Sequence, residues 1–242
     1  MREALRSLWP APGDRHGPLV PVMIVLTVVT GVVDATSYLK LGHVFVANMT
    51  GNVVFLGFAL AGAHGVSASS SLVALGSFLV GASAGGRYRV LHPDHRGHML
   101  RTATITQAAL LVIALVVALT LTKPLSTPQS YALIVPMAIA MGIQNAAAQL
   151  LAVPELTTTV LTRTLTGIAS DLALLGRSRE TAGMFARRVV AVVAMLLGAF
   201  VGGLLVLHVT VASALAVAAA IALAVGIAMH FLSHADAPWI KT

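Results

Sequence analysis

Long apolar stretches recur along the chain, and they constrain its fold more than any other feature. Most of them approach the roughly 20 residues that a helix needs to cross a bilayer. The composition agrees, because 57% of the residues are hydrophobic and only 10% are charged. We therefore predict an all-α integral membrane protein. The stretches cover residues 19–38, 71–86, 102–121, 131–150, 189–207 and 211–232.

Two matching sets of polar residues indicate that the chain is an internal duplication. Asp34 and Asn145 are 111 positions apart, and Thr50 and Thr162 are 112 positions apart. A pair of Gly-x-x-x-Gly motifs is separated by 117 positions, and we interpret these glycines as points of close helix packing. The predicted organisation is an N-terminal tail at 1–18, repeat 1 at 19–121, a linker at 122–130, repeat 2 at 131–232 and a C-terminal tail at 233–242.

Two shorter segments, residues 46–63 and 157–175, decide the topology. If both cross the membrane, eight spans form parallel 4+4 repeats, and Lys and Arg divide 9 to 5 between the two sides. If both enter and return to the same side, each repeat has three spans and the repeats are inverted. Lys and Arg then divide 12 to 2, which fits their preference for the cytoplasmic side better. We favour inverted 3+3 spans with two re-entrant half-helices and cytoplasmic termini, with eight spans as the alternative.

Composition also excludes several classes of function. The chain has no cysteine, so disulfides, thiol catalysis and cysteine metal sites are excluded. The net charge of +7 comes from residues that flank membrane spans, where cytoplasmic retention explains it without a nucleic-acid partner. The N-terminal segment has no short apolar region with a cleavage site, so we interpret it as a retained tail. The expected partners are the lipid bilayer and a small-molecule or ion substrate, with no cofactor; a homo-oligomer is also compatible with the sequence.

Three stretches carry a family resemblance. They are Gly31-x-x-Asp34-Ala35, the string Val-Phe-Val-Ala-Asn-Met-Thr-Gly-Asn at 44–52, and Met-Gly-Ile-Gln-Asn-Ala at 141–146 with the threonine-rich run that ends at Asp171. In these residues the chain resembles the YoaK-like family of uncharacterised bacterial transmembrane proteins, over nearly its whole length after the N-terminal tail. The resemblance implies a multi-pass protein of the bacterial cell (inner) membrane and no particular substrate. Function must therefore be argued from the site.

The starts of the two shorter segments form the predicted solute site. Helix starts carry partial positive charge, and in an inverted pair both would point toward the middle of the bilayer, as in known solute sites. The alternative is that these side chains only cap buried helix ends. The predicted substrate-binding residues are Asp34, Asn48, Thr50, Gly51, Asn52, Gln144, Asn145, Thr162, Arg163 and Thr164.

Arg163 is the strongest single candidate for a functional residue, because a guanidinium in a membrane must be solvated, paired or bound to an anion. It either binds or gates a solute, or it forms a permanent salt bridge with Asp34 or Asp171. Its counterpart Gly51 would leave room for its side chain. Asp34 in turn either carries a proton or neutralises Arg163. The amides at 144–145 either line a polar path or bond to a neighbouring helix.

These residues favour a small-solute transporter or channel with a polar site near the midplane, and a neutral polar or anionic solute. The alternative is a membrane sensor or assembly subunit that transports nothing and whose polar centre is structural. An enzyme is not expected, because Asp34 and Asp171 lie at different predicted depths and no span combines serine, histidine and acid. The histidines of the 92–98 loop are too loosely spaced to predict a metal site.

Overall fold

The computed structural model describes residues 16–91, 95–121, 125–151, 161–172, 179–233 and 239–240. Within these ranges the chain is helical and contains no strand, which confirms the predicted all-α class. Eight helices are present there: α1 Leu19–Lys40, α2 Met49–Leu60, α3 Ala68–Leu91, α4 Arg96–Thr120, α5 Thr127–Leu151, α6 Leu161–Leu172, α7 Arg179–His208 and α8 Val211–Leu232.

Helix length separates six candidate membrane spans from two short helices. The helices α1, α3, α4, α5, α7 and α8 are long and apolar enough to cross a bilayer. In contrast, α2 and α6 have 12 residues each, or roughly 18 Å at 1.5 Å per residue against a hydrocarbon core of about 30 Å. Six helices of spanning length agree with the favoured topology, and the number of crossings and their direction through the membrane stay predictions.

Helix contacts interlock the two halves of the chain. The closest pairs are α1 with α7, α3 with α5, and α4 with α8. The smaller contacts include α2 with α3 and α6 with α7, and also α4 with α5 and α1 with α8. If each helix of α1–α4 is exchanged for the corresponding helix of α5–α8, every contacting pair becomes another contacting pair. The contact pattern therefore has the symmetry that a duplication requires.

Glycines bring the two interlocking pairs of helices into backbone contact. A Cβ atom added to Gly198 on α7 would overlap the carbonyl oxygen of Val28 on α1, and one added to Gly81 on α3 would overlap the carbonyl oxygen of Ile139 on α5. Val28 and Ile139 are 111 positions apart, and the two glycines are 117 apart. These crossings tolerate no side chain, as is typical of close helix packing in membranes.

Gly85 and Gly202, the second glycines of the two Gly-x-x-x-Gly motifs, make equivalent backbone contacts one helical turn further along. A Cβ atom on Gly202 would lie 2.7 Å from Cα of Val32, and one on Gly85 would lie 3.0 Å from Cα of Ile143. Val32 and Ile143 are again 111 positions apart. The spacing seen in the sequence is thus reproduced by contacts in space.

One end of the bundle, which we call the tail pole, holds the start of α4 and residues 239–240. The amide N–H of Arg96 donates to the carbonyl oxygen of Ile240 at 2.9 Å, and Nη2 of Arg96 donates to the carbonyl oxygen of Leu151 at 2.6 Å. A Cβ atom on Gly17 would lie 2.5 Å from the Trp239 ring. The tail pole is therefore closed by contacts between distant parts of the chain.

The opposite end, which we call the link pole, holds the start of α3, the end of α4, the start of α5 and the α7–α8 turn. Tyr131 on α5 lies 2.8 Å, oxygen to oxygen, from the hydroxyl of Ser69 at the start of α3. A partly open cavity of about 240 Å³ also lies at this pole. Apolar groups dominate its lining, which is formed by Ala118, Leu119, Leu121, Leu125, Leu133, Thr210, Val211 and Ala212.

The short helices α2 and α6 lie on the outside of the bundle. In the described part of the chain, α2 packs along α3 and α6 packs along α7, and Phe55 of α2 also meets the Tyr38 ring of α1 at 6.1 Å between centroids. On α2, Leu60 is 78% exposed and Val53 is 58% exposed, whereas Asn52 is buried. Because the polar residues of α2 are confined to its first turn and its backbone is satisfied within the helix, its remaining surface can face lipid. Whether either helix is re-entrant stays a prediction.

Candidate functional site

The carboxylate of Asp34 holds the segment between α1 and α2. Oδ1 of Asp34 accepts from the amide N–H of Val46 at 2.9 Å and from that of Ala47 at 2.8 Å. Oδ2 accepts from the side-chain amide of Asn48. Asp34 is 3% exposed, so three donors satisfy an acid that water does not reach. The carboxylate thus ties the start of α2 to the side of α1.

Asn52 on α2 also holds the segment between α1 and α2, through two hydrogen bonds to the backbone of Phe45. Its Oδ1 accepts from the amide N–H of Phe45 at 2.8 Å, and its Nδ2 donates to the carbonyl oxygen of Phe45 at 2.6 Å. A Cβ atom on Gly51 would lie 2.6 Å from Cδ2 of Phe45. The space beside Gly51 is therefore filled by the Phe45 ring, and the expected room for Arg163 is not available there.

These contacts define a unit that we call the Asp34 clamp, formed by Asp34, residues 45–48 and Asn52. The alternative that Asn48 caps the start of α2 is wrong, because its side chain makes no cap hydrogen bond and donates to Asp34 instead. Thr50, one position into α2, is exposed. The polar residues of the first short segment therefore mainly satisfy one another.

On α6, the residues predicted to bind solute point in different directions. Thr162 and Arg163 are exposed, whereas Thr164 is 6% exposed. Asp171 accepts from Nη1 of Arg188 on α7 at 2.6 Å. The helix thus turns Thr164 and Asp171 inward and leaves Arg163 outside.

Of the two alternatives for Arg163, the permanent salt bridge with Asp34 or Asp171 is not present among the described residues. Asp34 bonds within its clamp, and Asp171 pairs with Arg188. The reason is geometric, because a Cβ atom on Gly167 would overlap the Arg188 guanidinium, so this glycine lets α7 present Arg188 to the inner face of α6. No contact between α2 and α6 occurs among the described residues, and the two predicted half-sites are not brought together.

A chain of buried amides crosses the centre of the bundle. Nε2 of Gln107 on α4 donates to Oε1 of Gln144 on α5 at 2.5 Å. Nε2 of Gln144 donates to the hydroxyl oxygen of Thr30 on α1 at 2.9 Å. The Thr30 hydroxyl donates to the carbonyl oxygen of Leu26 at 3.0 Å. Gln107 and Thr30 are 0% exposed, and Gln144 is 2% exposed. We call Gln107, Gln144 and Thr30 the amide chain.

The amide chain ends in a buried acceptor. The direction of the hydrogen bonds along the amide chain is fixed. The Thr30 hydroxyl donates its proton to the carbonyl oxygen of Leu26, so each amide donates toward Thr30. Oε1 of Gln107 is buried and has no hydrogen-bond partner in the described part of the chain. Since buried polar groups are nearly always bonded, this oxygen is a position where a donor from water or a solute would bind.

Sequence reasoning found Gln144 but missed Gln107 and Thr30. Gln107 lies near the middle of α4, in a stretch that is otherwise largely apolar, and a lone amide at that depth is a signal that could have identified it. Asn145, which was predicted beside Gln144, donates to the carbonyl oxygen of Met141 in its own helix at 2.9 Å. Of the predicted residues, only Gln144 takes part in the amide chain.

In the histidine-rich loop, His95 caps the start of α4. Nδ1 of His95 accepts from the amide N–H of His98 at 3.0 Å, and the two rings stack at 3.6 Å. Among the described residues, no group of three His, Cys, Asp or Glu side chains could hold a metal ion. His92 and Asp94 lie outside those residues.

The fold and the polar centre define a multi-pass α-helical membrane protein with six candidate spans. The family described as "Protein of unknown function (DUF1275)" matches residues 22–228, and the chain belongs to this family. The UPF0700 transmembrane protein YoaK of Bacillus subtilis (strain 168) is 36% identical over 153 residues, which are 63% of this chain and 66% of that protein. The chain thus spans slightly less than two thirds of that relative. No solved structure matches. The family resemblance seen in the motifs is confirmed.

Proposed function

We propose that the protein is a small-solute transporter or channel whose solute passes the amide chain at the middle of the bundle. The observation that carries this proposal is the buried, unpaired Oε1 of Gln107 at the end of that chain. A packing network that served only stability would be expected to satisfy all its members, because an unpaired buried acceptor costs about 1–3 kcal/mol. The open acceptor is therefore assigned to a ligand that carries an N–H or O–H donor.

The chemistry of the amide chain favours a neutral polar solute over an anion. Its members are uncharged, and the atom left open is an oxygen, which binds donors and repels anions. The anionic option depends on Arg163 and on two helix starts that meet. Arg163 is exposed on α6, and α6 does not contact α2 in the described chain. Small amides and polyols are therefore the proposed class of solute.

The internal symmetry supports inverted repeats, which many transporters use. Each half contributes three candidate spans, and an odd number of spans inverts the second copy relative to the first. The amide chain joins α1 and α4 of the first half to α5 of the second. Solute sites in inverted-repeat transporters lie at such an interface near the midplane. The position of the amide chain agrees with this rule.

The Asp34 clamp favours the second candidate function, a non-transporting sensor or assembly subunit. Its carboxylate and amides bond to one another and to the backbone, as a purely structural centre would. The same contacts support a role without catalysis, because the Asp34 carboxylate is bonded within its clamp and that of Asp171 is paired with Arg188. Flux measurements separate the two candidates, since only a transporter moves solute across a sealed bilayer.

Stopped-flow light scattering on proteoliposomes, with urea, acetamide, glycerol and sodium formate as probes, tests the proposal. At least one neutral probe should equilibrate faster than in protein-free liposomes. Gln107→Leu should slow that flux by about tenfold or more, because the open acceptor is lost. Gln149→Leu is the matched control, since Gln149 is exposed on α5. If no probe moves, or if folded Gln107→Leu transports as well as the unsubstituted protein, the proposal is wrong.

A further inference from the structure

The first turn of α4, at the tail pole, binds a carbonyl oxygen from a distant part of the chain. His95 precedes this helix and caps it by accepting from the amide N–H of His98. The amide N–H of Arg96, the first helical residue, has no partner within its own helix and donates to Ile240 instead. The helix start thus holds a peptide acceptor.

The residues that supply this acceptor also fill an apolar space. Trp239 is 5% exposed and Ile240 is 6% exposed. They pack in one cluster with Leu19 and Val22 of α1 and Met99 of α4. An indole, a sec-butyl group and a carbonyl oxygen therefore occupy one site between α1, α4 and α8.

At the link pole, the first turn of α8 has the same cap and no acceptor at its first residue. Thr210 accepts from the amide N–H of Ser213 at 3.0 Å, which matches the pair at 95 and 98. Val211 then occupies the position of Arg96. No described residue accepts from the amide N–H of Val211, and Val211 lines the cavity of about 240 Å³.

The cavity at the link pole and the site filled by Trp239 and Ile240 occupy equivalent positions when the helices α1–α4 are exchanged for α5–α8. The filled site lies between α4, α8 and α1, and the cavity lies between α8, α4 and α5, which are the respective counterparts. Leu133 lines the cavity, and Val22, which is 111 positions earlier, lies in the Trp239 cluster. Residues 239–240 fill this site at the tail pole, and no described residue fills its counterpart at the link pole.

We propose that the cavity at the link pole binds a small neutral amphiphile, with a carbonyl or similar oxygen on the amide N–H of Val211 and an apolar body among the leucines. The chemistry follows from what Trp239 and Ile240 do at the tail pole. Among the described residues, no charged side chain lines the cavity, so a neutral ligand is favoured. Its volume of about 240 Å³ is below the ~300–1,000 Å³ of pockets for drug-sized ligands, so the ligand is small. This inference does not depend on the proposed transport function.

The experiment measures binding of a fluorinated N-acetyl-tryptophanamide by ¹⁹F NMR to the full chain in lipid nanodiscs. The probe should bind in a saturable way, and empty nanodiscs should show only partitioning. Ala212→Trp, which fills the cavity from its wall, should weaken binding at least tenfold. Ala216→Trp is the control, because it makes the same change on an exposed face of α8 outside the lining.

Val211→Pro then tests the proposed hydrogen bond. Proline is favoured at the first position of a helix, and Thr210 already has the extended φ of −155° and ψ of 163° that a residue before proline adopts. The helix should therefore form without the amide N–H. Binding of the amide probe should weaken about tenfold, whereas fluoroindole, which has no carbonyl group, should bind as before. Equal binding to all variants, or signals identical to those of empty nanodiscs, would overturn the inference.

Discussion

The two halves of the chain share their helix crossings and differ in how they fasten their short helices. Gly198 and Gly81 make equivalent backbone contacts, at partners 111 positions apart. The first short helix is tied by the Asp34 carboxylate to backbone amides, whereas the second is tied by an ion pair between Asp171 and Arg188. The difference shows that a crossing that tolerates no side chain restricts both copies alike, while a local fastening can be built from different chemistry.

The largest effect is expected at the shared crossings. Gly31→Leu and Gly142→Leu should each prevent recovery of folded protein, because an added Cβ on Gly31 would lie 2.5 Å from the carbonyl oxygen of Met195 and one on Gly142 would overlap that of Phe78. Gly76→Leu is the control, since nothing lies within 4 Å of its Cβ position. Size-exclusion chromatography after detergent extraction measures the result. A monodisperse Gly142→Leu protein would show that the crossings are not equivalent.

The second-largest effect is expected at the tail pole. This pole takes the place of the link pole when the helices α1–α4 are exchanged for α5–α8. Trp239→Ala should lower the free energy of unfolding by about 3–5 kcal/mol, the usual cost of removing a large buried aromatic side chain. It should also open a second site, so that the amide probe binds at two sites per chain. Equilibrium unfolding in mixed micelles and probe titration measure both. Phe200→Ala is the control, because Phe200 is 61% exposed. Unchanged stability would contradict the account of the tail pole.

Asp34, which fastens the first short helix, should matter more than Asn145, its sequence counterpart in the second half. Asp34→Ala leaves two buried amide N–H groups and the Asn48 amide without their acceptor, so it should cost about 2–4 kcal/mol. Asn145→Ala should cost about 1 kcal/mol, because the Asn145 side chain donates within its own helix. Reversible unfolding of both variants measures the difference. Equal costs would mean that the clamp does not distinguish the halves.

A smaller effect than at the Asp34 clamp is expected at the ion pair of the second half. Arg188→Ala should cost about 1–3 kcal/mol, between the values for exposed and buried pairs, because the two side chains are 15% and 9% exposed. Arg163→Ala should change the unfolding free energy by less than about 0.5 kcal/mol, since Arg163 is exposed. Thermal unfolding of the two variants side by side tests this order. A larger loss for Arg163→Ala would restore a structural role for that residue.

The helices and their number could be predicted from the sequence because apolar length and charge placement report directly on membrane spans. The clamp could not be predicted in the same way. It needs the chain after α1 to turn back, with Gly42 at φ 98° and His43 at φ 56°, so that amides 12 and 13 positions later reach Asp34. No periodic pattern encodes such a turn.

The outward position of the short helices also escaped prediction, for a physical reason. In water an apolar face marks the core, but in a membrane lipid is as apolar as a packed interior. The apolar residues of α2 therefore did not reveal which way they face. Gln144 could be chosen as a site residue because an amide is costly at that depth, and the same rule would have selected Gln107.

Cysteine labelling tests inverted duplication, the central claim, most directly. The chain has no cysteine of its own, so His64→Cys, Arg87→Cys and Val209→Cys can be labelled one at a time, and all three positions are exposed. With six spans, an impermeant maleimide should reach residues 64 and 209 from one side of the membrane and residue 87 from the other. If residues 87 and 209 are labelled from one side and residue 64 from the other, both short helices cross and the repeats are parallel.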